Sequence, residues 1–190
     1  MERAVRRGGG GVTDARSAAF LRLLAEDQAE DRAVVAGEPA YVALRDRDRA
    51  RREAVMALLA DSWPEDVDSL YAAAWVLNHG DLSEEAALGS RLAGRAAELG
   101  RPGERWLAAE ALDRSLMYAG LPQKFGTNIV PDGVGWRLWN VDPTTTDAER
   151  LANDVPTLAE MQARAAAMTD PQPDKSTAPG WLTRGGTKSG

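Results

Sequence analysis

From Ala15 to about Ala119 the apolar residues recur every three or four positions, the spacing of one buried face on an α-helix. The breaks in that pattern carry helix-stopping residues, so the chain divides itself. Thr13 or Asp14 is placed to cap a first helix running from Ala15 to Val35, which Gly37 and Pro39 end. A second helix is predicted from about Ala40 to Leu59, interrupted by Ser62-Trp63-Pro64. A third runs from Glu65 to Asn78, and after Gly80 a fourth from Leu82 to Leu99. Gly100 and Pro102-Gly103 separate it from a fifth, Glu104 to Ala119, which Gly120 and Pro122 stop. The texture then changes. In "KFGTNIVPDGVGWRLWNVD" short apolar runs flank Pro131-Asp132-Gly133, the signature of a β-hairpin. Thr146 or Asp147 is placed to cap a short helix, and a last helix covers about Leu158 to Met168. No internal repeat interrupts this order. The pattern predicts a mainly α fold: one helical, bundle-like domain over residues 13–168 with one β-hairpin near its C-terminal third. Residues 1–12 and the Pro/Gly/Ser-rich segment 169–190 are expected to be disordered, with Trp181-Leu182 an apolar pair inside the tail.

Composition narrows the chemistry. The 190 residues include 23 Lys and Arg against 29 Asp and Glu, a net charge of −6 and an isoelectric point near 4.9. That balance does not favour nucleic acid, whose phosphates want a positive face. Cysteine is absent, which removes disulfides, thiol nucleophiles and thiolate metal sites. A single histidine removes any multi-histidine zinc site within one chain. No run of about twenty apolar residues exists to span a membrane, and no hydrophobic segment follows the basic start "MERAVRRGGGG", so a cytoplasmic protein is expected. The strong Arg and Ala bias, with lysine only at 124, 175 and 188, is that of a GC-rich bacterial genome.

Three polar stretches stand out. "LNHGDLSEE" holds His79, with Asp81 two residues on. A structural reading covers all of it: His79 in the last turn of a helix, Gly80 as a left-handed terminator, and Asp81 with Glu84 as a capping box. A functional reading adds that Tyr71, Trp75 and His79 share one helical stripe, which would bury the imidazole in part. In "ALDRSLMYAG", Asp113 points into an apolar stripe formed by Ala109, Leu112, Leu116 and Met117. A buried carboxylate needs a partner: His79, a distant arginine or backbone amides. Arg114 is expected to pair with Glu110 at i,i+4. In "GLPQKFGTNIV", Gln123, Lys124, Thr127 and Asn128 crowd four polar side chains around Gly126. The charge run "RDRDRARRE" reads as a solvated helix face laced by Asp48–Arg52 and Arg49–Glu53 pairs rather than a nucleic-acid arm.

Taken in order, these stretches resemble a bacterial family of uncharacterised domains. Its pattern is Gly-Trp-Pro, then Gln-His-x-Asp at a helix end, an Asp-Arg pair, and Gln-x-Tyr-Gly-Thr-Gln. Trp63-Pro64 match the first element. His79 and Asp81 match the second, with Asn78 for Gln. Asp113-Arg114 match the third. Gln123, Gly126 and Thr127 match the fourth, with Phe125 for Tyr and Asn128 for the final Gln. Asp142-Pro143, Asp147, Arg150 and Pro156 resemble the family's closing segment. The resemblance covers about Ala50 to Met161. It implies that His79, Asp81, Asp113, Arg114, Gln123 and Thr127 belong together, and it implies no reaction.

The expectation is an enzyme acting on a small polar metabolite by acid/base chemistry. His79, Asp81 and Asp113 would be catalytic, and Arg114, Gln123, Lys124, Thr127 and Asn128 would bind substrate, converging in one cleft with no metal or cofactor. The rival is a non-catalytic interaction protein, an immunity or accessory factor, that uses the cluster structurally. A divalent ion held by Asp81, Asp113 and His79 is a third arrangement the chemistry allows. A small-molecule ligand and a protein partner both fit the sequence, whereas nucleic acid and membrane do not. Nothing in the sequence sets the oligomeric state.

Overall fold

The computed structural model describes residues 10–30, 38–101 and 103–169. The two expected loose ends, Trp181-Leu182 among them, lie almost wholly outside these residues. Seven helices and one hairpin follow in order among the described residues: α1 Gly10–Gln28, α2 Pro39–Leu59, α3 Val67–Asn78, α4 Ser83–Glu98, α5 Glu104–Tyr118, β1 Ile129–Pro131, β2 Trp136–Leu138, α6 Asp147–Ala152 and α7 Leu158–Ala166. The chain is mainly α with a single small antiparallel hairpin, as its periodicity predicts. No described helix is long and apolar enough to cross a membrane. Thr13 and Asp14 lie inside α1 instead of capping it. Pro39 opens α2 rather than ending α1, because a helix's first turn needs no N–H from it.

Helix α3 is the spine. Leu70, Ala72, Ala73, Ala74, Val76 and Leu77 on it are buried, and its run of alanines lets neighbours approach closely. Phe20 and Leu23 of α1, Val55 and Leu59 of α2, Leu92, Ala93 and Ala96 of α4, and Leu107 of α5 complete that core. Asp66 starts α3 by accepting from the Ser69 amide at 2.8 Å, and Ser17 of α1 donates to the same carboxylate at 2.8 Å. One cap thereby fixes a helix start and docks a second helix.

Helix α5 faces two ways. Its far side carries Ala109, which packs with Phe125, Val155 and Met161, and Met117, which packs with Val130 and Trp139. The hairpin and α7 form that second layer. Asp132 makes the turn, its carboxylate accepting from the Val134 and Gly135 amides at 2.8 and 2.7 Å. The strands pair Ile129 with Leu138, Val130 with Arg137 and Pro131 with Trp136. Capping boxes at Thr146/Glu149 and Thr157/Glu160 start α6 and α7.

Leu70→Ala tests the place of α3 at the centre. Leu70 has no exposed surface, so its truncation is expected to cost about 2–5 kcal/mol in urea denaturation. A loss below about 1 kcal/mol, the scale of a surface change, would mean that α3 does not carry the core.

Candidate functional site

His79 caps the C-terminal end of α3 with φ −84° and ψ 11°. Its ring continues the aromatic stripe expected for that face. Tyr71 and Trp75 meet edge to face at 6.2 Å between centroids, and Trp75 lies 6.0 Å from the imidazole. The partner of the ring is Asp27 of α1: Nδ1 and Asp27 Oδ1 are 3.0 Å apart. Asp27 is 1% exposed, whereas the His79 side chain keeps 17% of its surface. An ionised aspartate can only accept here, so in the neutral imidazole this contact favours the tautomer protonated at Nδ1. Nε2 is then the lone-pair nitrogen. It has no hydrogen-bond partner among the described residues and is not enclosed.

The main chain at the same corner is held by arginines. Arg45 Nη2 donates to the His79 carbonyl at 3.0 Å, and Arg52 Nη1 approaches the same oxygen at 3.4 Å. Arg114 Nη1 donates to the Asn78 carbonyl at 2.7 Å. Three cations on a helix's last carbonyls are what the negative end of a helix favours. Arg45 also pairs with Asp81, and Arg52 lies 3.6 Å from the other Asp81 oxygen. Asp81 is drawn to these arginines and so does not cap α4. The cap residue is Leu82, without a side-chain bond, and the expected Asp81/Glu84 box is absent. Gly80 differs from expectation too. Its φ is not positive, and its role is to leave room. A Cβ there would stand 2.7 Å from Glu85 Oε2 and 2.9 Å from the Leu77 carbonyl. Glu85 crosses that space to reach Arg52 Nε at 2.9 Å.

The charge run on α2 is half buried, which corrects its reading as a solvated face. Asp48 has no exposed side-chain surface. It joins Arg45 Nη1 at 2.8 Å and Arg51 Nη2 at 2.6 Å. Arg51 reaches Glu30, two residues past the end of α1, at 2.7 Å and stands 3.8 Å from Asp27 of α1. The expected i,i+4 partner, Arg52, turns to Glu85 instead, because the countercharges on α1 and α4 lie on the buried side. Arg47 grips Glu30 from the solvent side at 2.8 Å. That hydrogen bond, ahead of those from Arg51, lowers the Glu30 pKa from 4.5 to about 2.

Asp113 lies in the other half of the molecule and does not meet His79. Its Oδ1 accepts from the Lys124 and Phe125 amides at 2.7 and 2.9 Å. Its Oδ2 accepts from the Gly126 and Thr127 amides at 2.8 and 3.0 Å, and from the Thr127 hydroxyl at 2.8 Å. Four successive amides converge on one carboxylate because Gly126 takes φ +90°, a left-handed turn that favours glycine. Burial pushes the Asp113 carboxyl above its ordinary value, and the Phe125, Thr127 and Lys124 bonds oppose that rise. Of the three partners the sequence left open for Asp113, backbone amides are the ones found. The loop is closed by Gln123, whose Nε2 donates to the Asn128 and Trp139 carbonyls at 3.1 and 2.9 Å and whose Oε1 accepts from the Asn128 amide at 2.9 Å. The Asn128 side chain turns to Thr127 Oγ1 and the Glu110 carbonyl. Lys124 lies over the Phe125 ring at 5.3 Å. Arg150, unmarked by any local pattern, is buried beneath the loop and donates to the Phe125 and Thr145 carbonyls, both at 2.8 Å.

The expected single cleft is therefore two separate networks. His79 and Asp81 meet Asp27, Arg45 and Arg52. Asp113, Gln123, Lys124, Thr127 and Asn128 share the loop. Arg114 stands between them, with the expected Glu110 partner at 3.2 Å. A metal site of Asp81, Asp113 and His79 is not assembled. The tryptophans of the hairpin also part company. Trp139 is core, its Nε1 bonded to the Leu121 carbonyl at 2.8 Å. Trp136 lines a groove of about 480 Å³ between β2 and α7, with Leu138, Leu158 and Gln162. No family model, curated protein or solved structure matches the chain.

Asp113→Asn places an amide NH₂ against other donors. It is expected to cost about 1–3 kcal/mol in denaturant while leaving the His79 imidazole NMR signals in place. A shifted imidazole would show that the two networks are joined. Glu30 sets an acid window. A carboxylate whose pKa is depressed on folding stabilises above its unfolded value of 4.5, and that contribution disappears as pH falls towards about 2. Glu30→Gln is expected to flatten the fall of stability in that interval, and an unchanged slope would contradict the Arg47–Glu30 assignment.

Proposed function

We propose that the chain is an acid/base enzyme acting on a small polar metabolite, with the Nε2 of His79 as general base. The observation that carries this reading is the Asp27–His79 contact: a buried carboxylate orients a part-exposed imidazole and leaves its other nitrogen without a hydrogen-bond partner among the described residues. This is the arrangement in which an imidazole takes a proton from water or from a substrate hydroxyl, and its carboxylate partner then steadies the imidazolium. Asp27 replaces Asp113 as the orienting acid. Asp81, about half exposed and paired with Arg45, is the charged group next to His79 in sequence. Arg114 is engaged with the Asn78 carbonyl and Glu110, so this reading does not assign it an anion. Asp113, Gln123, Thr127 and Asn128 serve as a buttress. The reading includes the resemblance of residues 50–161 to the uncharacterised bacterial domains and a cytoplasmic setting.

A second reading, a non-catalytic interaction protein, is favoured by one observation. The loop of Gly126 is rigid by its bonds, and a Cβ at Gly126 would touch Leu138, Val141 and Leu158. These same side chains line the groove beneath Trp136. In that reading the buried polar residues shape a docking face and His79 only locks the helices.

His79→Gln separates the two. The test follows hydrolysis of p-nitrophenyl acetate, p-nitrophenyl phosphate and bis-p-nitrophenyl phosphate. A general base contributes about 10²–10⁴-fold, so the variant is expected to lose turnover on that scale while its melting temperature stays close to that of the parent protein. Equal turnover by the variant, or none by the parent above the buffer rate, would overturn the enzyme reading. A large fall in melting temperature with no change in rate would favour the interaction protein.

A further inference from the structure

The polar contacts around His79 form a closed ring. Starting at the imidazole, Nδ1 meets Asp27 at 3.0 Å. Asp27 Oδ1 lies 3.8 Å from Arg51 Nε, an ionic contact longer than a hydrogen bond. Arg51 Nη2 meets Asp48 Oδ1 at 2.6 Å. The other oxygen of the same carboxylate meets Arg45 Nη1 at 2.8 Å, and Arg45 Nη2 returns to the His79 carbonyl at 3.0 Å. Asp48 is thus the point where two arms divide. One arm ends on the ring of His79 and the other on its main chain. Asp48 touches neither.

We infer that Asp48 is a positioning residue for His79, setting where Nε2 stands by fixing both Asp27 and the α3 corner; in its catalytic consequence this rests on the general-base reading above. Three features support it. Asp48 has no exposed side-chain surface, so solvent cannot screen its hold on the two arginines. Each arginine also has a second anchor: Arg51 meets Glu30 at 2.7 Å, and Arg45 meets Asp81. The guanidinium planes are therefore fixed on both sides, which a lone pair of long side chains would not achieve. The corner itself has little freedom, because Glu85 fills the space over Gly80 and ties to Arg52. A small rotation of the α2 carboxylate is then transmitted to the imidazole through rigid partners.

The test is ¹⁵N NMR of the single imidazole, together with p-nitrophenyl acetate kinetics. In the parent protein the Nδ1 signal should be that of a protonated nitrogen and Nε2 that of a bare one. Asp48→Asn is expected to blur this distinction towards a mixture of tautomers and to lower kcat by about 10–100-fold, the cost of a misplaced group, with KM little changed. Asp113→Asn, which weakens a different network, serves as the control for general loss of stability and should leave both nitrogen signals where they are. If Asp48→Asn does not fold, Arg45→Gln decides the matter. It opens one arm at a partly exposed residue, and Arg45→Lys should restore part of the parent pattern. Unchanged nitrogen signals in Asp48→Asn, or in Arg45→Gln where the former does not fold, would overturn the inference whatever the kinetics. Altered signals with an unchanged kcat would overturn its catalytic part while leaving the general-base reading to the His79→Gln result. If His79→Gln keeps full turnover, the general-base reading falls and takes the catalytic part with it, and the nitrogen signals alone judge the positioning.

Discussion

A carboxylate with no access to water must find its countercharge inside the protein, and Asp48 finds two. That requirement organises the N-terminal half of the molecule. Arg45 and Arg51 are held at i−3 and i+3 on α2, and each then reaches across to another helix. Arg51 ties α2 to Glu30, two residues past α1, and Arg45 ties it to the corner between α3 and α4. The apolar core explains why these helices associate, since burial is not directional. The ionic ring explains why they associate in one rotation about their axes. A buried pair broken on one side leaves a bare charge, which costs more than the pair contributed.

Asp113 meets the same requirement by another route. Among the described residues it has no ion-pair partner, and it is satisfied by four amides and a hydroxyl. Partial charges from a turned main chain substitute for an arginine, as they do where loops cradle phosphate. Both acidic residues sit on the inner faces of helices, both are fully buried, and neither contacts the other. The protein has two polar centres, one electrostatic and interhelical, the other built from a single loop.

Much of this was legible in the residues. Helix positions, the hairpin at Pro131-Asp132-Gly133 and the buried stripe bearing Asp113 all follow from spacing. So does the aromatic stripe ending at His79. The identity of the partners does not. Asp27 follows Phe20 by seven positions and Leu23 by four, and Asp48 follows Leu44 by four and precedes Val55 by seven. The rule that placed Asp113 inward places these two inward as well. The run "RDRDRARRE" hid the signal, because alternating charges suggest a helix neutralised along its own length. Two of its arginines are neutralised instead from Glu30, just past α1, and from Glu85 of α4, and no local spacing encodes a neighbour 21 or 33 residues away. Asp81 misled for the same reason: its sequence fits a cap, yet two arginines from another helix compete for it. Arg150 was marked only by the resemblance of the closing segment, and no local spacing points to its burial.

The two polar centres also differ in the length of chain each must close. The donors to Asp113 lie 11 to 14 residues away, whereas Asp27 and His79 are 52 apart. The entropy of loop closure makes the longer loop more costly by about 1 kcal/mol, before any ordering of the segments between. The loop on α5 therefore closes locally with its own helix, whereas the contact of α1 with His79 closes over a long stretch of chain. Since α1 supplies Asp27, the imidazole has its carboxylate only while α1 is docked. Amide exchange in the native protein would then open from the α1 edge inward, with the Phe125–Thr127 amides among the slowest.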